Sequence, residues 1–346
     1  MNSFSAVIIC WFRENGRDLP WRETRDSYAI WLSEIILQQT RIAQGWEYWE
    51  RFMQTYPKVE DLAAASEDDV LKLWQGLGYY SRARNLHTAA KQIVALGDFP
   101  NTLEGIKSLK GVGDYTAAAI GSFAFGIPAA VVDGNVYRVL SRYFGIDTPI
   151  NSTQGKKEFA ALAQSLLPAS DAASYNQGMM DFGAIQCTPQ SPKCLLCPLA
   201  ETCEALRCGR VEELPVKNKT VKVKTRHLSY IYIRCKSSAA DGAGNSEPMV
   251  AIHRRGEGDI WQGLWEPYNV SDIKELPSFV KNPILLAKDV KHVLTHRVLL
   301  ADFYLLETES RPPLPDDYIW IRESEIEDYG VPRLIEIMLE KINPAE

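Results

Sequence analysis

Over residues 1–205, apolar side chains recur at spacings of three and four. Trp31, Leu32, Ile35 and Ile36 make one such set, Val70, Leu73 and Trp74 a second, and Ala117, Ile120 and Phe123 a third. That is the period of a helix with one buried face. Strand-like alternation is absent from this region. Glycine and proline punctuate it at Gly76 with Gly78, Gly97 to Pro100, Gly111 with Gly113, and Gly126 to Pro128. At ordinary element lengths the pattern predicts about ten helices joined by short loops.

The pattern then changes twice. Residues 206–225 contain VEELPVKNKTVKVKT, which is polar, lysine-rich and poor in large apolar groups; this reads as a linker between domains. From Arg226 the period becomes two. HLSYIYIRC, MVAIHRR and VLLADFYLL are rich in β-branched and aromatic residues and predict strands. Residues 237–247 read as a flexible hairpin loop, and Val331 to Ile342 as a closing helix. The expected fold is therefore a mostly α region over 1–205, a linker, and an α+β domain over 226–346 with an antiparallel or mixed sheet. No internal repeat is visible.

A chain of 346 residues suits two or three domains. Its 46% apolar and 24% charged residues are the balance of a soluble globular protein. No uncharged apolar run is long enough to span a membrane. The apolar stretch Met1 to Trp11 lacks a basic start and a small-residue cleavage site, so it reads as a helix start and a cytoplasmic location is expected. The net charge of −6 does not advertise nucleic-acid binding, and residues 1–210 are themselves slightly acidic. Any DNA affinity must come from local charge, helix N-termini and backbone amides.

Five of the seven cysteines lie between positions 187 and 208. Cys187, Cys194, Cys197 and Cys203 are spaced so that four thiolates can close around one [4Fe–4S] cube. Tetrahedral zinc is the alternative, although zinc ribbons usually use two CxxC knuckles and one is present here. Cys208 is a fifth candidate. Cys10 and Cys235 read as ordinary small buried residues. Lys193 and Arg207 flank the cluster, where they can meet phosphates.

Residues 109–123 read LKGVGDYTAAAIGSF. Gly111 and Gly113 allow a tight hairpin and a close backbone approach to phosphate, and the following helix offers free amides. Such a helix–hairpin–helix binds a DNA backbone without reading sequence. Asp133, in VVDGNVYRVL, stands at a helix start; it can cap that helix, face a ligand, or both. Glu34 is a lone carboxylate within WLSEIILQQTRI. Burial would raise its pKa and let it hold the proton a general acid must give. An exposed place on the polar side of the helix, with Gln38 one turn later, explains it equally well.

The ordered series WLSEIILQQT, GLGYYSRARNLH, LKGVGDYTAAAIGS, VVDGNVYRVL, NQGMMDFGAIQC and the cysteine loop closely resembles the adenine DNA glycosylases of the helix–hairpin–helix superfamily. The resemblance is strong over roughly residues 10–205 and weaker beyond. It implies a base-excision repair enzyme with a [4Fe–4S] cluster, acting as a monomer on double-stranded DNA that holds adenine opposite 8-oxoguanine or guanine, in association with the nucleoid. It implies that Glu34 protonates a flipped adenine and that Asp133 stabilises the sugar cation, supported by Tyr115 and Asn135. Arg22 and Gln177 fall where the family contacts adenine, and Gln39 and Tyr79 where it enters the base stack. The nearest competitor, an endonuclease III-like glycosylase and lyase for damaged pyrimidines, carries a lysine nucleophile where this chain has Tyr115, so no Schiff base is expected there.

The C-terminal domain resembles a Nudix fold without a readable REx2EE box, so no pyrophosphatase activity is expected. The family reads 8-oxoguanine there with a Phe-Ser-His loop. Leu294-Thr295-His296 is the matching stretch: Thr295 keeps a hydroxyl and His296 remains, but the aromatic is lost.

Overall fold

The computed structural model describes residues 3–218, 223–236, 247–270 and 276–343. Twelve helices are described before position 208: α1 (Ser3–Asn15), α2 (Ser27–Ile36), α3 (Ile42–Thr55), α4 (Val59–Ala64), α5 (Glu67–Leu73), α6 (Ser81–Leu96), α7 (Leu103–Ser108), α8 (Asp114–Phe125), α9 (Gly134–Phe144), α10 (Thr153–Leu166), α11 (Ala172–Asp181) and the short α12 (Glu204–Arg207). Their starts follow local chemistry. Asp26, Ser66, Thr102, Asp133 and Ser152 each cap a helix by accepting a hydrogen bond from a backbone amide two or three residues on. Gly126 and Gly145 end α8 and α9 in the left-handed conformation. No described helix is long and apolar enough to cross a membrane.

The chain divides into two compact units, and the division differs from the sequence expectation. Residues 1–64 and 85–219 form the first; residues 65–84 and 220–346 form the second. The segment carrying α5 and the Gly76–Tyr80 loop thus belongs with the C-terminal half. Lys72 donates to the Tyr329 carbonyl, and Arg254 pairs with Glu67 and Asp68. The expected linker is also partly structured. Val216 accepts from the Ile150 amide, Asn218 pairs with Asn151, and Leu214 accepts from Arg142. Residues 219–222 and most of the expected loop at 237–247 lie outside the described residues.

In the first unit, α2 packs on α8, and α1, α9, α10 and α11 enclose a core of Phe4, Ile8, Val139, Leu140, Phe159 and Phe182. The second unit holds a mixed seven-stranded sheet: β1 (Lys224–Cys235), β2 (Met249–Arg254), β3 (Trp265–Glu266), β4 (Tyr268–Val270), β5 (Ile284–Val293), β6 (Arg297–Thr308) and β7 (Tyr318–Arg322). β1 and β6 run parallel, from Lys224 beside Arg297 to Cys235 beside Thr308; the other pairs are antiparallel. Both sheet faces are covered. Leu228, Tyr230 and Tyr232 meet Leu334, Ile335 and Met338 of α13 (Arg333–Ile342), while Ile231 and Ile233 pack on Val280 and Leu306. That double burial makes β1 a nearly continuous apolar run.

Candidate active site

Three side chains from three helices meet in the first unit. Glu34 lies on α2, whose residues 28–36 are all buried. It is 6% exposed, which decides between the two sequence readings of this residue. The Tyr115 hydroxyl, from the first turn of α8, donates to Glu34 Oε2 at 3.0 Å. Burial pushes the Glu34 carboxyl up to about 7; the charge of nearby Asp133 adds to this, while the Tyr115 hydrogen bond and the Arg22 charge oppose it. A group so placed holds its proton near neutrality. Burial and the two carboxylates also raise the Tyr115 phenol well above its ordinary value, so it stays a neutral donor.

Asp133 sits at the start of α9, half-buried. Its Oδ1 accepts from the Val136 amide at 2.7 Å, which makes it the N-cap, and its Oδ2 accepts from Asn135 Nδ2 at 2.7 Å. The cap is therefore formed, and the side chain lies near enough to Glu34 for its charge to act on that carboxyl. Burial raises its pKa, and the hydrogen bonds from Val136 and Asn135 pull it part of the way back. The helix dipole favours the anion at this end.

Sequence reasoning missed what holds Asn135. Arg138, one turn along α9, donates to Asn135 Oδ1 at 2.8 Å, to the Gly183 carbonyl at 2.6 Å and to the Cys187 carbonyl at 2.8 Å. Arg142, a further turn on, donates to the Thr188 carbonyl at 2.7 Å and approaches Cys187 Sγ at 3.5 Å. Both arginines are buried. Their only signal in the sequence was the i, i+4 spacing of two arginines on one helix.

Arg22 follows α1 in a short turn and grips Asp181 with both guanidinium nitrogens at 2.8 Å; Arg17 joins the same carboxylate. Asp181 is wholly buried. Burial alone would raise its pKa, but the hydrogen bonds from Arg22 and Arg17 outweigh it and hold the group below its ordinary range. Gln177 lies half-buried on α11, one turn before Asp181. Gln38 donates to Thr116 at 3.2 Å, fastening the end of α2 to α8.

Gly111 and Gly113 form the turn between α7 and α8. Gly111 has φ 80, and a Cβ there would lie 2.7 Å from Cβ of Asn85. Gly113 is the exposed residue before α8, with open space where a Cβ would stand. Gly113 is thus the N-cap of α8, at the end of the helix where amides lack intrahelical partners.

Gln39 and Tyr79 adopt left-handed backbone conformations, with φ 58 and 47. Non-glycine residues there cost on the order of 1 kcal/mol or more. Both are exposed, Tyr79 by 46% despite its ring. In the second unit the Tyr79 hydroxyl is paired with the Thr295 hydroxyl. Thr295 and His296 form the tip of the β5–β6 hairpin, closed by the Leu294 amide on the Arg297 carbonyl at 2.8 Å. A cavity of about 670 Å³ lies beside them, with Tyr79, Trp261 and His292 among its walls.

Cys187, Cys194, Cys197 and Cys203 surround one small space at the end of the first unit. Burial raises the pKa of Cys194, Cys197 and Cys203, that of Cys197 to about 11, and the neighbouring thiols raise them further. Four half-buried thiols that line one space suit a cationic iron cluster, which supplies the charge that thiolates need. Cys208 stands apart: it is exposed and donates to Glu204 at 3.2 Å. Cys235 is buried as expected, but Cys10 is not. It lies on the exposed side of α1, where the helical period turns it away from the core.

Profile comparison agrees with this layout. Residues 32–168 match the HhH-GPD superfamily of base excision DNA repair proteins, 187–203 the iron–sulfur binding domain of endonuclease III, and 244–341 the NUDIX domain. A thermostable thymine-DNA glycosylase superposes with TM-score 0.56 at 34% identity, covering 59% of this chain and 95% of that one. An endonuclease III–DNA complex, at 23% identity and TM-score 0.52 over 59% and 94% of the two chains, shares the fold. The fold is therefore that of a helix–hairpin–helix DNA glycosylase carrying a [4Fe–4S] cluster.

Full-length relatives narrow the class. An adenine DNA glycosylase of Buchnera aphidicola from Acyrthosiphon pisum is 39% identical over 76% of this chain and 73% of its own length. One from the Schizaphis graminum symbiont is 30% identical over 97% and 98%. The human adenine DNA glycosylase is 42% identical over 62% of this chain and 41% of its own length. The chain belongs to the adenine DNA glycosylase family, whose members are base-excision repair hydrolases of N-glycosyl bonds.

Proposed function

We propose that this chain excises adenine paired with 8-oxoguanine, or with guanine, from double-stranded DNA, without a lyase step. The observation that carries the reading is a pair of carboxyl groups in unlike surroundings: Glu34, buried and shifted up to about 7, beside Asp133, a helix cap with charge-stabilising donors. Two carboxyls, one placed as a proton donor and one held by donors at a helix end, are the arrangement that glycosyl-bond cleavage uses.

The adenine must leave the stack to reach a buried acid, so it is flipped. Glu34 gives its proton to N7 of the base. The C1′–N9 bond then breaks, and its electron pair departs with the neutral adenine. Asp133 stabilises the positive charge left on the sugar, by field or by a transient bond, until water adds at C1′ and gives up a proton. Tyr115 orients Glu34, and Asn135 orients Asp133. Arg22 and Gln177 would contact the adenine, and Gln39 and Tyr79 would enter the stack near the opposing purine. Thr295 and His296 would read the lesion. Cys187, Cys194, Cys197 and Cys203 would hold the cluster, which stabilises the loop they belong to.

Duplexes with a single A opposite 8-oxoguanine, incubated with the protein and then cleaved at abasic sites with alkali, should be cut at the adenine. Borohydride should trap little covalent adduct, and Tyr115→Lys should trap more, because an amine then faces the sugar. Efficient trapping by the unaltered protein, with cutting at damaged pyrimidines and not at adenine, would overturn the reading.

A further inference from the structure

The loop before α6 concentrates unusual backbone. Gly76, Gly78 and Tyr79 all have positive φ, at 97, 69 and 47. Glycine accepts this freely; tyrosine does not. An exposed ring on a left-handed residue therefore needs restraints from elsewhere to keep one direction.

The Thr295 hydroxyl, paired with the Tyr79 hydroxyl, restrains the tip of the ring; Arg82 restrains its base and the loop behind it. It lies in the first turn of α6 and is buried, 9% exposed. Its Nη2 donates to the carbonyls of Leu77 and Gly78 at 3.3 Å each, the two peptides that lead into Tyr79. Its guanidinium carbon lies 5.0 Å from the Trp74 ring centre and 5.7 Å from that of Tyr79, both within cation–π range. Burial lowers its pKa to about 10, so it remains a cation at neutral pH. One side chain thus holds the loop backbone through its hydrogen-bond donors and the Tyr79 ring through its face. The Trp74 indole is itself fixed by donating to the Gly78 carbonyl at 3.0 Å.

We infer that Arg82 is a positioning residue for the reaction, aiming the Tyr79 ring at the base stack by clamping it and the Leu77–Gly78 peptides. The inference rests on the reading that Tyr79 enters the stack. A lysine cannot replace this geometry, because its ammonium has no planar face and cannot serve two carbonyls while covering a ring.

A double-substitution cycle tests it: Arg82→Lys, Arg82→Met, Tyr79→Ala and the combinations, each checked for intact iron–sulfur absorbance and followed by single-turnover excision of A opposite 8-oxoguanine. Each Arg82 substitution alone should slow excision about ten-fold or more, the scale of a misplaced contact group. In the Tyr79→Ala background the same substitutions should cost almost nothing further. The pH midpoint of excision should not move, since Glu34 is untouched. Arg82→Lys keeps the charge and most of the stem, so it completes the cycle if Arg82→Met does not fold. An equal loss with and without the Tyr79 ring, or a wild-type rate for Arg82→Lys, overturns the inference while leaving the role of Tyr79 standing. A wild-type rate for Tyr79→Ala overturns both.

Discussion

At the scale of single residues, the site works by placing one carboxyl where it cannot easily ionise. The nine consecutive buried positions 28–36 of α2 leave Glu34 no solvent-facing alternative. Its proton is then available to a bound base near neutral pH. Excision should fall as pH rises through about 7, where the acid form is lost. Glu34→Gln should slow excision by on the order of a hundredfold or more and leave mismatch binding largely intact, since the amide keeps the shape. The same pKa shift has a stability consequence. A carboxyl whose folded pKa exceeds its unfolded value favours the fold while protonated in both states. That advantage is lost as pH rises from the unfolded value of 4.5 towards about 7. Thermal melts should therefore show Glu34→Gln more stable than the wild type at pH 8, by about 1–3 kcal/mol, and scarcely different at pH 4. Equal melting temperatures at pH 8 would mean that the carboxyl is solvated.

At the scale of elements, the hairpin between α7 and α8 divides labour between two glycines that look alike in sequence. Gly111 is required by the fold, because its φ of 80 and the nearby Asn85 leave no room for a side chain. Gly113 has space around it and an ordinary φ of −96. Gly111→Ala should lower stability by about 1 kcal/mol or more and weaken DNA binding with it. Gly113→Ala should leave the melting temperature nearly unchanged, yet weaken binding to any duplex, matched or mismatched, because a methyl group would hold the phosphate away from the α8 amides. Calorimetric melts and gel-shift titrations of both variants separate the two roles. Identical behaviour of the two would remove the phosphate-contact role of Gly113. The next element shows a similar economy: α9 begins with Asp133 and carries Arg138 and Arg142 at successive turns, so one helix lines up the capped carboxylate with the cysteine loop.

At the scale of the whole molecule, the chain passes between its two units at three places: near positions 64, 84 and 219. A single cut in the linker therefore does not separate two independent parts. Residues 1–218 on their own would keep Glu34, Asp133 and the four cysteines. They would lose the packing of Leu71 and Lys72 on Gly263, Tyr329 and Gly330, and the pairing of Gln75 with Glu336. Such a fragment should retain iron–sulfur absorbance and some excision of A opposite G, with a lower melting temperature than the full chain and a much reduced preference for A opposite 8-oxoguanine. Single-turnover rates on the two duplexes decide this. Equal slowing on both would remove Thr295 and His296 from lesion reading.

The sequence by itself determined what local chemistry controls. Helical period, capping residues, the glycine pair, the spacing of four cysteines and the order of motifs sufficed for the helical region, the iron–sulfur loop and the family. Asp133 was legible as a cap because capping is a three-residue affair. Other features needed the tertiary structure, because they depend on partners far along the chain. Whether Glu34 was buried turned on α8 and Tyr115, 81 residues away. The grip of Arg22 on Asp181 spans 159 residues. Cys10 read as buried because an apolar helix hides which of its sides meets the core. The assignment of residues 65–84 to the second unit was invisible for the same reason: α5 has an ordinary amphipathic pattern, and a hydrophobic stripe specifies that it will be covered, not by what.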